Sequence, residues 1–216
     1  MPQYREIIHV AAVGDDRIST HLGPLLMRMS KALSVAGTRR RFGPLDREPD
    51  STYIHDVQTV EDLVAALQHS STITLVTGHG GWGTGSDWKI GHGEYSPLIS
   101  IGDLAPLVGQ IPTKMLIVSA CHATNAASQW RSLLANDGVL VAVEGPIQVV
   151  DAARWLTTLL SALAAYGGKR EEPLTAAQLS AAFDTARGCL QLQQGASGIK
   201  NRRPAFEPVS LVFRKF

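Results

Sequence analysis

The chain is poor in cysteine, with only Cys121 and Cys189 among its 216 residues. Two thiols do not build a disulfide framework, and a chain of this length can bury enough apolar surface to do without one. Charge imbalance is missing as well. Lys and Arg number 20 against 19 Asp and Glu, for a formal net charge of +1, which exerts no global pull toward nucleic acid or an anionic membrane. The basic run Arg39-Arg40-Arg41 reads as a solvated edge rather than a binding patch. No apolar stretch approaches the roughly 18 residues of a membrane span. The opening MPQYREIIHV has no basic segment followed by a long apolar core, so no signal peptide is expected. Internal repeats and low-complexity linkers are lacking too. Apolar content of 44% against 18% charged excludes disorder and supports a substantial core. The expectation is one domain over residues 1–216, cytoplasmic, with reduced thiols and no nucleic-acid or membrane partner.

What the sequence does contain is a succession of short apolar runs. EIIHVAAVG (6–14), ITLVTG (73–78), KMLIVSA (114–120) and GVLVAVEG (138–145) are β-branched and continuous rather than alternating. That is the pattern of strands covered on both faces. VSLVFRKF (209–216) is a fifth candidate, and RRRFGPL (39–45) a weaker one for an edge. Helical spacing lies between them. Leu22, Leu25, Leu26, Met29 and Leu33 recur up to a stop at Gly37. Thr59, with an acid at Asp62 and apolar Leu63, Val64 and Leu67 behind it, has the form of a capped helix start. Residues 124–135 place Ala126, Ala127, Trp130, Leu133 and Leu134 on one face. Asp151 is positioned to cap DAARWLTTLLSALAAYG, and Thr175 to cap a helix over 176–187. Strands alternating with helices predict an α/β fold, with a mostly parallel sheet of about six strands and helices on both faces.

In open α/β sheets, ligands bind beyond the carboxyl ends of the strands. ITLVT delivers Gly78-His79-Gly80 to that edge, and MLIVSA delivers Cys121 to it. If the two strands are neighbours, imidazole and thiol face each other across the crevice. A free cysteine is commonly a buried small hydrophobe, so Cys121 could be packed, a metal ligand or a nucleophile. As a nucleophile it needs a base to take its proton and later protonate the leaving amine, which His79 can supply. The oxyanion needs fixed donors. Gly80, without a side chain, lets a carbonyl approach its N–H, and the Cys121 N–H is a second donor.

An apolar strand ending in His-Gly, followed about forty residues later by one ending in Ala-Cys, resembles the caspase-like cysteine peptidases. Within that clan the bacterial CHAT-type domains are most similar, and separase is a more distant resemblance. TVEDLVAALQHSSTITLVTGHG looks like the histidine strand with its preceding helix, MLIVSACHATNAAS like the nucleophile strand, and GVLVAVEGPIQVVDAARWLTTLLSAL like the strand, turn and helix that follow. The resemblance implies a three-layer sandwich and a thiol endopeptidase with a His79–Cys121 dyad. It places Gly80 in the oxyanion hole and requires no cofactor or metal. It further implies a protein substrate, a regulatory partner or activator, and a bacterial defence or cell-death pathway. Ser119 occupies the place where metacaspases carry a P1-binding aspartate, so that specificity does not transfer. Asp151 falls at or near the acid of the separase and CHAT pattern and could read a basic P1 side chain; its plain alternative is the helix cap. Glu144 is a second, weaker acid at the same edge.

Other readings compete for these residues. His79, His92, Cys121 and His122 could hold zinc, though their spacing matches no compact ligand motif. His92, after a Trp-Lys-Ile stretch of surface-hairpin character, could replace His79 as base. His122, beside Cys121, reads as structural, and Cys189 as core. GHGGWGTGSDWKIGHG is glycine-rich but lacks the Walker lysine and the strand–GxGxxG–helix context of a phosphate site. It reads better as a loop beside the dyad. A caspase-like fold that binds or signals without cleaving is the alternative function, and two filled dyad positions argue against it.

Overall fold

A computed structural model describes residues 6–13, 52–79, 87–89, 98–167, 174–196 and 213–216 of the chain. The helix expected from Leu22, the edge candidate at 39–45, Gly80 and His92 lie outside the described residues.

The central sheet grows from the continuous apolar runs. Its strands are β1 (Glu6–Val13), β2 (Thr52–Val57), β3 (Ser71–Gly78), β6 (Thr113–Ser119), β7 (Val139–Val143) and β8 (Phe213–Lys215), paired in the order β2-β1-β3-β6-β7-β8. Every pairing is parallel except the last, in which β8 runs antiparallel to β7. β4 (Asp87–Lys89) and β5 (Leu98–Ser100) form a separate antiparallel pair.

Alternate residues of the central strands feed two cores. Ile73 and Leu75 of β3, Met115 and Ile117 of β6, and Val139, Val141 and Val143 of β7 enter one. Val76, Leu116, Val118, Leu140 and Ala142 enter the other. All eight positions of β3 are buried, which is why the run shows no polar alternation.

On the first face lie α4 (Val149–Gly167) and α5 (Ala176–Ala196). Ala152, Trp155, Leu156, Leu159, Leu160 and Leu163 recur at helical spacing and are all buried there. Trp155 stacks on Phe213 with centroids 4.0 Å apart and planes 10° apart, tying α4 to β8. On the opposite face lie α1 (Val60–Gln68), α2 (Ile101–Val108) and α3 (Ala127–Ser132), which bury Leu63, Leu67, Leu104 and Trp130. The result is helices, sheet and helices in three layers.

Two caps follow their sequence signatures. Thr59 Oγ1 accepts from the Asp62 N–H while Asp62 accepts from the Thr59 N–H, a reciprocal box. Thr175 and Gln178 make the same exchange at the start of α5. Asp151 does not cap α4, because that helix starts two residues earlier, at Val149, and Asp151 falls within its first turn. Cys189 is exposed rather than part of the core. After Ala186 the inward position of α5 is Leu190, and Cys189 is one step round the helix from it. β2 went unread in the sequence because TYIHDV mixes polar and apolar residues, as a strand at the end of the sheet order among the described residues can tolerate.

Candidate functional site

β3 and β6 are adjacent and parallel, with Thr77 opposite Ser119 as the last registered pair. Each strand then leaves the sheet at the same edge, His79 two residues beyond Thr77 and Cys121 two residues beyond Ser119, where the chain has already turned. Neighbouring strands lie about 4.8 Å apart. His79 follows β3 directly and is exposed, while Cys121 is half-buried.

The turn that carries Cys121 is built from small residues because little space lies beneath it. Ala120 and Ala123 are buried, and the Ala123 N–H closes the turn on the Ala120 carbonyl at 3.3 Å. His122 sits in the left-handed region with φ 59°, the only non-glycine among the described residues to do so. Histidine is one of the few side chains enriched there, and such conformations concentrate at functional turns. A short 3₁₀ turn, Ala123–Ala126, then leads into α3.

The segment between β7 and α4 reaches back over this turn. The Gly145 carbonyl accepts from the His122 N–H at 2.8 Å, and Gly145 has φ +76°. The Ile147 N–H donates to the Cys121 sulfur at 3.4 Å, and the thiol donates to the Ile147 carbonyl oxygen at 3.8 Å. Ile147 is itself half-buried against the core that α4 and α5 cover. Gly145-Pro146 is a turn signal in the sequence, but no local pattern tells that the turn lies on a cysteine more than twenty residues upstream.

The remaining candidates fall around this centre. Ser119 is 4% exposed, and its hydroxyl is buried without a hydrogen-bond partner. It follows Met115 and Ile117 on the strand, and so belongs to the face covered by α4. Asp151 is half-buried, four residues beyond Ile147. Glu144 is exposed and ion-paired with Arg214 of β8, so it is already matched with a cation. Among the described residues no three His, Cys, Asp or Glu side chains gather where a metal ion could be held. No described helix is long and apolar enough to cross a membrane.

The arrangement brings a thiol, a solvent-facing imidazole and a carboxylate on a helix's first turn to one edge of a parallel sheet. No protein-family model matches the chain, and no curated protein matches it. Among solved structures it is similar to that of a secreted C11 cysteine protease from Bacteroides thetaiotaomicron, determined by X-ray in complex with an irreversible peptide inhibitor. The identity is 12% and the TM-score 0.47, over 88% of this chain and 60% of that one. The chain thus spans about three fifths of that protease's length.

Proposed function

We propose that the chain is a single-domain, caspase-like cysteine endopeptidase. The observation that supports this reading is the direct parallel pairing of β3 with β6, whose last registered pair, Thr77 and Ser119, lies two residues before His79 and Cys121. In this reading the Cys121 sulfur attacks the scissile carbonyl carbon while its proton passes to His79. The carbonyl oxygen becomes an oxyanion held by the N–H groups of Gly80 and Cys121. His79 then protonates the leaving amine as the C–N bond breaks, which leaves a thioester. Water attacks the thioester, gives its proton to His79 and releases the acid, and the thiol is restored.

Asp151 is the specificity residue of this proposal. A carboxylate in the first turn of α4, near the segment that touches the nucleophile, suits a charge-assisted contact with Arg or Lys at P1. Ser119, buried two residues before Cys121, is the second substrate-binding residue of this proposal. The substrate is a protein, and a regulatory partner or activator governs the activity. By analogy with the CHAT-type domains, the setting is bacterial defence or programmed cell death.

Profiling a mixed peptide library by mass spectrometry tests activity and P1 preference together. The expected result is cleavage after basic residues by the wild type and none by Cys121→Ala, with the two proteins melting alike. Undiminished cleavage by Cys121→Ala would remove the assignment.

A further inference from the structure

The turn at Cys121 has a feature that the proposed reaction does not need. Both hydrogen bonds of the Cys121 sulfur go to the peptide groups of one residue, Ile147. A thiol whose proton points at a carbonyl oxygen is not yet directed at a base. Cys121 is half-buried in this arrangement, and both bonds to Ile147 must break before the thiol turns toward a base.

Residues 144–148 form no helix or strand; the Gln148 carbonyl accepts from the Ala152 N–H of α4, and three further ties hold the segment to the rest of the site. Glu144 pairs with Arg214, the Gly145 carbonyl takes the His122 N–H, and Ile147 clasps the sulfur. The tie at Gly145 depends on a positive φ, and a Cβ there would meet nothing within 4 Å. A side chain at that position would therefore strain the backbone without a clash. The tie at Glu144 is a partly exposed ion pair on the edge strand, of the kind that contributes little by itself.

We propose that residues 144–148 are a strap that clasps the Cys121 thiol at rest and lifts to admit a peptide. The proposal rests on Cys121 being the nucleophile of a peptidase, but its test does not require cleavage. Cys189, exposed on α5, is a reference thiol within the same molecule.

Limited alkylation with iodoacetamide, read for each cysteine by peptide mass spectrometry, gives the Cys121-to-Cys189 rate ratio. In the wild type Cys121 reacts more slowly than Cys189. Gly145→Ala raises the ratio about five- to tenfold, and Arg214→Ala about two- to fivefold, with Cys189 unchanged. Melting curves establish that each variant is folded, and Arg214→Ala decides the matter if Gly145→Ala is not. A ratio that stays at the wild-type value in the folded variants overturns the strap, even if peptides are cleaved. A ratio that rises while no peptide is ever cleaved keeps the strap and overturns the peptidase.

Discussion

The two ends of the central sheet handle buried hydroxyls in opposite ways. At the amino ends of β3 and β6 the hydroxyls of Ser71, Thr74 and Thr113 are matched. Ser71 Oγ donates to the Ile73 carbonyl at 3.1 Å and lies 3.0 Å from Thr74 Oγ1, and the Thr113 hydroxyl lies within 3.2 Å of the Thr72 carbonyl and 3.1 Å of the Met115 carbonyl. At the carboxyl ends Ser119 Oγ is orphaned, His122 is left-handed and Gly145 has a positive φ. The same strands connect the two ends, so composition does not explain the contrast. Native structures satisfy buried polar groups almost everywhere, and departures collect where function is placed. Gly109, ahead of β6, also has a positive φ, and Trp155 Nε1 in the α4 core is unpartnered too, so the contrast between the two ends lies in the serines: Ser71 is matched and Ser119 is not.

That contrast can be broken by substitution. The largest expected effect is at the carboxyl edge, where His79→Ala should lower peptide cleavage by about a hundredfold or more, in line with the loss of a general acid–base. His79 is exposed, so thermal unfolding of this variant should match the wild type. Next in size is Ser71→Ala at the amino edge. It removes the partner of the Thr74 hydroxyl, and chemical denaturation should report a loss of about 1–3 kcal/mol with cleavage unaltered. Smallest is the same exchange at the other end. Ser119→Ala deletes a hydroxyl that has no partner, so denaturation should report unchanged stability or a gain of up to about 1 kcal/mol, with altered P1 preference as its functional trace. Equal destabilisation by the two serine replacements would erase the contrast.

Much of this architecture was legible in the residues. The unbroken apolar runs of β3, β6 and β7 announce strands with both faces covered, and residue parity divides them between the two cores. Thr59 and Thr175 announce the helices they cap, since a cap is a local exchange of hydrogen bonds. Other features were not legible because their causes are not local. The helix α4 starts at Val149, two residues ahead of the cap that Asp151 suggested, which puts Asp151 inside it. The place of β2, last in the sheet order among the described residues, tolerates a mixed sequence that carries little strand signal. The contact of Ile147 with Cys121 joins residues 26 apart in the chain, and nothing in either segment encodes the other. The positions of His79 and Cys121 could be anticipated because strand polarity alone sends both to one edge.

The most direct test of the central claim is to treat the wild type and His79→Ala with a peptidyl acyloxymethyl ketone ending in arginine, and to map the adduct by mass spectrometry. The account predicts a single adduct on Cys121 that forms rapidly in the wild type and at least tenfold more slowly in His79→Ala. Labelling that falls mainly on Cys189, or proceeds at the same rate without the imidazole, would contradict it.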